Sequence, residues 1–295
     1  MQDIEHRKGI AFAICAYTLW GFAPLYFKLL TDVSAAEILL HRVLWSFVFV
    51  ALLMFFFGGF GRARQLLKKP KQLAVLCITS CLIAANWLLF IWAVNNDHML
   101  DASLGYFINP LVNVFLAMLF LGERLRKLQW AAVSLAAIGV SVQLISFGSI
   151  PLVSLALAGS FACYGLLRKK VNIDAKTGLL VETAILMPVA LFYLLTNMGD
   201  SLTHLMTNDT HLNTLLLAAG VITTVPLLCF AAAAVRIPFT MLGFFQYIGP
   251  SIMFILAVSL FNEPFDMEKG ITFGFIWAAL ALFTTDMFYK RKQKK

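Results

Sequence analysis

Charge is scarce in this sequence. Only 13% of its 295 residues are Asp, Glu, Lys or Arg, against 61% hydrophobic residues and a mean hydropathy of +0.84. A soluble domain carries about 25% charged residues, so a water-soluble fold is excluded. Polar chain long enough to fold by itself is also missing. The longest connections between apolar runs, around 58–71 and 198–211, are too short for a domain, so the protein's work is expected to be done inside a membrane. Catalytic signatures are absent: there is no HExxH for zinc, no Gly-rich Walker loop with its lysine and no GxSxG elbow. His98, His204 and His211 fall in connections without partnered ligand spacing. The five cysteines (Cys15, Cys77, Cys81, Cys163 and Cys229) lie within apolar runs, away from any His or carboxylate at ligand spacing, and read as small packing residues. No catalytic role, cofactor or metal ion is expected.

What the sequence has instead is long apolar runs, and about 20 such residues cross a bilayer as a helix. Ten are legible, at 9–30, 37–57, 72–95, 102–121, 128–147, 150–167, 178–197, 212–234, 240–261 and 270–289. The first follows Arg7 and Lys8, as a signal peptide would. It is too long for a signal h-region and has no convincing cleavage site, so it is expected to stay as a membrane helix. The fold class is all-α integral membrane, with ten transmembrane helices.

The net charge of +8 is distributed by side. The start, 58–71, 122–127, 168–177, 235–239 and the tail from Lys290 hold 20 of the 23 Lys and Arg residues. The intervening connections hold acids and Lys269. Positive loops resist translocation, so the basic set is expected in the cytoplasm with both termini. An even number of spans follows. The basic balance points to anionic membrane lipid as a partner, and not to nucleic acid.

Two apolar runs carry the same interruption. SLGYFINPLVNVFLAMLFLGERL at 103–125 and GFFQYIGPSIMFILAVSLFNEPF at 243–265 each place a proline thirteen residues before a glutamate. Pro110 and Pro250 are 140 positions apart, and so are Glu123 and Glu263. These are spans four and nine, so each half has five spans: 1–147 and 148–295. An odd number of crossings sends the second half in from the opposite face, which makes the halves an inverted repeat. Proline removes an i→i−4 hydrogen bond and bends or breaks its helix. Freed carbonyls are tolerated at membrane depth only against protein or a wet cavity. Two breaks in equivalent places point to a midplane transport pathway, with Pro110 and Pro250 as hinges. Glu123 and Glu263, at the ends of their spans, read as gate contacts.

Polar residues within the spans give the candidate site. Tyr17, Trp20, Gly21, Pro24 and Lys28 share a face of the first helix. Glu37 and His41 share a face of the second, and Arg42 lies roughly 8 Å deeper than Glu37 at the helical rise. Lys28 can instead snorkel to headgroups, and Arg42 can anchor at the interface rather than line a cavity. Asn86 and Trp87 lie in span three. Tyr106, Asn109, Pro110 and Asn113 share a face of span four, where Gln246 is the counterpart of Tyr106. Buried amides also glue helices, so packing and substrate contact both remain open for them. The substrate-binding set is therefore Trp20, Lys28, His41, Arg42, Asn86, Trp87, Tyr106, Asn109 and Gln246. A proton-coupled cycle would need a titrating group, for which His41 and Glu37 are the candidates. Glu182 mirrors Glu37 and is expected at headgroup level.

The run NWLLFIWAVNNDHMLDASLGYFINPLVNVFLAMLFLGERL at 86–125 resembles the RarD branch of the drug/metabolite transporter superfamily, whose repeat is called EamA. So do LGFFQYIGPSIMFILAVSLFNEP at 242–264, WGFAPLYFKLL at 20–30 and EILLHR at 37–42. The likeness covers essentially the whole chain. The second half departs from the general pattern, with Asn262 and Pro264 where Gly and Arg are usual. The resemblance implies a ten-helix bacterial inner-membrane permease with a central cavity, exporting small metabolites or drugs. Members of this branch are labelled chloramphenicol-sensitivity permeases, so a chloramphenicol-like compound is one candidate. The function expected is alternating-access movement of a small amphipathic molecule. A membrane-embedded lipid-modifying enzyme and a channel-like facilitator are the alternatives, and the oligomeric state stays open.

Overall fold

The computed structural model describes residues 2–30, 33–95, 99–148, 150–196, 209–260 and 267–293. Twelve α-helices run through them. They are α1 (Gln2–Phe27), α2 (Ala35–Phe57), α3 (Phe60–Leu66), α4 (Pro70–Asn95), α5 (Met99–Leu121), α6 (Lys127–Phe147), α7 (Leu152–Val171), α8 (Ala175–Thr196), α9 (Thr210–Ala234), α10 (Phe239–Gln246), α11 (Ile248–Ser259) and α12 (Met267–Gln293). Ten segments are long and apolar enough to span a membrane, and α10 with α11 makes one of them, Phe239–Ser259. Short α3 lies in the basic connection and crosses nothing.

Local chemistry sets the helix ends. Ser34 accepts the Glu37 backbone N–H at 3.3 Å and so caps α2. The Arg126 backbone N–H donates to the Gln129 side chain at the start of α6. Left-handed Gly148 (φ 70°) and Asn172 (φ 49°) stop α6 and α7, where a β-branched residue would be strained.

The main packing pairs are α6 with α12, α5 with α7, α1 with α9, α2 with α9, α4 with α7, α2 with α8, α1 with α11, α5 with α10 and α4 with α8. Exchanging the first five spans for the last five carries this set onto itself. At one place equivalent residues touch. The Tyr247 hydroxyl donates to the Phe107 carbonyl at 3.3 Å, and these positions are 140 apart, as the two prolines are. Close approach elsewhere depends on small residues. A Cβ added at Gly220 of α9 would lie 2.3 Å from the Trp45 Cβ of α2. Large apolar side chains cover the outside: Phe55, Phe56 and Phe57 are 73, 72 and 74% exposed, as lipid contact requires.

The two prolines behave differently from the expectation of paired breaks. α5 continues without interruption through Pro110 from Met99 to Leu121. The second-half helix is interrupted only at Tyr247, where the backbone tightens into an i→i−3 bond to Phe244. Around Pro110 the second half packs closely, with the Tyr247 hydroxyl donating to the Phe107 carbonyl and Gly243 against the Pro110 carbonyl.

Candidate functional site

A cavity of about 240 Å³ lies between α1, α2, α4, α5, α7, α9, α10 and α11, so both halves line it. Its walls come from the C-terminal parts of α1 and α4 and the N-terminal part of α5. It therefore occupies the half of the bundle away from the basic connections. Trp20, Phe27, Trp87, Phe90, Tyr106 and Phe161 give it aromatic sides. Among the described residues that line it, Arg42 is the one that is charged.

The arginine is held by neutral groups. Its Nε donates to the Thr223 hydroxyl at 2.9 Å, across the boundary between the halves. The guanidinium carbon lies 4.6 Å from the Trp87 ring centre and 5.6 Å from that of Phe27, in cation–π range. No carboxylate pairs with it among the described residues.

The amides are committed mainly to helix contacts. Asn86 Nδ2 donates to the Leu157 carbonyl at 2.9 Å and to the Ser160 hydroxyl at 2.8 Å. Asn109 Nδ2 donates to the Ala158 carbonyl at 2.6 Å. Asn113 Nδ2 bridges Asn109 at 3.0 Å and Gln246 at 2.8 Å, completing a chain from α7 through α5 to α10. Asn86, Asn109 and Gln246 thus both line the cavity and fix its walls.

Below the cavity, toward the basic end, the bundle is shut. Tyr17, Trp20, Phe161, Tyr164 and Phe230 stack with ring centres 5.2 to 6.3 Å apart. The Tyr17 hydroxyl is buried there without a hydrogen-bond partner. One layer further, Glu123 accepts from the backbone N–H groups of Phe239 and Thr240, at 2.7 and 2.9 Å, and from the Thr240 hydroxyl at 2.8 Å. Pro238 sits at the N-cap of α10 and offers no capping side chain. A carboxylate from the α5–α6 connection fills that role, where the helix dipole favours negative charge. Beside it, Lys169 donates to the carbonyls of Ala234 and Ile237 at 3.0 and 2.5 Å.

Of the sequence-derived candidates, Trp20, Arg42, Asn86, Trp87, Tyr106, Asn109, Gln246 and Pro250 line the cavity. Lys28 does not: it is exposed in a 3₁₀ turn just after α1, one residue past the lining Phe27. His41 does not either. It is buried outside the lining and accepts the Trp45 indole N–H at 3.0 Å. Successive helix positions turn by roughly 100°, so an inward Arg42 aims its neighbour elsewhere. Glu263 lies outside the described residues.

Glu182, expected at headgroup level, is buried within the bundle. It is 2% exposed, and Arg168, placed with the basic connections by its sequence position, is 1% exposed beside it. Their Nε–Oε1 separation is 3.7 Å. Thr79 donates to Glu182 Oε1 at 2.6 Å and Tyr164 to Oε2 at 3.4 Å. The arginine's three nitrogens make no hydrogen bond. Sequence reading missed Thr223 as a site residue. A lone hydroxyl in an apolar helix carries no signal of its inter-helix partner. Tyr17 and Phe27 carried one, their place on or beside the Trp20 face.

The EamA-like transporter family matches residues 7–145. Protein RarD of Escherichia coli K12 is 54% identical over 293 residues, spanning 99% of both chains. An uncharacterized transporter of Vibrio cholerae is 55% identical over 282 residues, 96% of this chain and 93% of that one. A solved crystal structure only 16% identical superposes with a TM-score of 0.70 over 93% of this chain and 96% of that one, which is a likeness of fold. With full-length identity at this level and ten membrane-spanning segments, the chain belongs to the EamA-like transporter family, in its RarD branch, and is a multi-pass membrane transporter.

Proposed function

We propose that the protein exports a small amphipathic molecule across the bacterial inner membrane by alternating access, with both termini in the cytoplasm and two inverted five-helix repeats, 1–147 and 148–295, rocking about a shared site. The observation that carries this reading is the cavity itself, lined by both halves and shut at one end only by an aromatic floor and the Glu123–α10 contact. The Phe107–Tyr247 contact between equivalent positions supports it, since residues i and i+140 meet where a two-fold axis passes between repeats. Trp20, Trp87 and Tyr106 hold the apolar body of the substrate, and Arg42 its polar group. Glu123 and Lys169 latch the basic end and release it when the cavity opens there. Pro110 and Pro250 set where the helices flex, with Glu263 the counterpart of Glu123.

Reconstitution in liposomes tests this. Uptake from a panel of small acids, amino acids and chloramphenicol should saturate and should be accelerated by unlabelled substrate on the opposite side. Arg42→Ala and Tyr106→Ala should fold and lose that flux. Uptake rising linearly with concentration, without counterflow, would make the protein a channel. A chemically altered solute would make it an enzyme.

A further inference from the structure

Resting on the reading of the cavity as the transport site, we infer that its substrate is a small monocarboxylate with a flat apolar body, bound through Arg42 as an anion. Among the described residues Arg42 is the sole charged one lining the cavity, and its protein contacts there are the Thr223 hydroxyl, the Trp87 face and the Phe27 face. A cation in a low-dielectric enclosure is costly unless paired. The same bundle pairs its other interior arginine with Glu182, so the missing partner at Arg42 is specific to the cavity.

Shape narrows the ligand further. The Trp87 ring, 4.6 Å from the guanidinium carbon, and the bond from Nε to Thr223 hold the group in place, which leaves its two Nη nitrogens as a two-donor fork. Such a fork matches a carboxylate better than any neutral oxygen. With a single cation present, a phosphate dianion would keep an uncompensated charge. A zwitterion would bring an ammonium to a lining that, among the described residues, contains no carboxylate. The volume of about 240 Å³ lies just below the range of about 300–1,000 Å³ typical of drug-sized ligands. It suits one aromatic ring with a short acidic arm.

The test uses matched probes on the purified full chain in detergent, read by quenching of tryptophan fluorescence, since Trp20 and Trp87 line the cavity. Phenylacetate and phenylacetamide differ in little but charge. Phenylacetate should bind about tenfold tighter or more, the value of a hydrogen bond to a charged group. Phenylalanine and phenethylamine should bind more weakly than phenylacetate. Arg42→Gln should lower phenylacetate to the level of the amide, and Arg42→Lys should recover part of the preference. Thr223→Val, which keeps the charge but removes the bond to Nε, gives a smaller loss and serves if Arg42→Gln misfolds. Equal affinity for acid and amide, tighter binding of the amine or zwitterion, or no binding of phenylacetate overturns the inference. Preference for the acid that persists in Arg42→Gln overturns it too. Transport is scored separately in liposomes. Arg42-dependent phenylacetate binding without saturable flux would keep the ligand class and remove the transport reading. Saturable flux of phenylacetamide, unaffected in Arg42→Gln, would do the reverse.

Discussion

Arg42 and Arg168 both lie inside the bundle, and only Arg42 has space around it. Arg168 is 1% exposed, faces Glu182 and has Gly178 pressed against its guanidinium. Arg42 opens on a cavity and meets a hydroxyl and two rings. A structural charge is neutralised within the fold, because a buried ion left alone costs several kcal/mol. A charge kept for a ligand is left incomplete. The contrast sets a charge answered within the second half against one in the first half that opens on the cavity.

The largest effect should come from breaking the filled site. Glu182→Ala leaves Arg168 as an uncompensated buried cation, at a cost of about 3–5 kcal/mol. Thermal unfolding in detergent should show the loss, with little folded protein recovered. A stable Glu182→Ala protein would mean that water reaches Arg168, and the two arginines would then be alike. Next is Gly178→Ala, whose Cβ would fall 1.8 Å from Arg168 Nη1. Overpacking of this kind costs about 1–3 kcal/mol. An unshifted melting temperature would show that the guanidinium can swing into spare volume.

How much of this was legible in one sequence differs between the two sites. The ten spans are visible because lipid demands an unbroken apolar run for each crossing. Their ends are less so: α1 begins at Gln2, ahead of the apolar run at residue 9, because Asp3, Glu5, Arg7 and Lys8 suit a helix projecting into water. Part of the cavity face is readable from spacing within single helices, as Tyr17, Trp20 and Pro24 on α1 and Tyr106 and Asn109 on α5 all line it. Lys28 and His41 were misassigned because spacing relates residues on one helix and leaves the facing of that helix undetermined. Arg168 reads as one of the loop charges because, three residues before the end of α7, it looks like any other basic helix terminus. Its partner is on α8 and the supporting Thr79 is on α4, contacts made only by the assembled bundle. The Tyr247–Phe107 contact is hidden for the same reason, since its two residues belong to different halves.

At the open site the effects should be smaller. Thr223→Val removes the one hydrogen bond that the described residues make to the Arg42 side chain, and leaves Nε to cavity water. A net loss of about 0.5–1.5 kcal/mol is expected in unfolding measurements. Arg42→Gln should shift stability least. It removes that same bond and a cation–π contact worth about 0.5–2 kcal/mol, but it also removes the desolvation of a lone cation, which is of similar or greater size. These terms oppose, so the melting temperature should move by the equivalent of about 0.5 kcal/mol or less, the range of an ordinary surface change. A drop approaching that of Glu182→Ala would show that Arg42 is a structural ion after all, with its counter-charge among the residues beyond those described. A small shift together with loss of acid binding would instead place its contribution in recognition, which is what distinguishes a charge with empty space beside it from one that the fold has already answered.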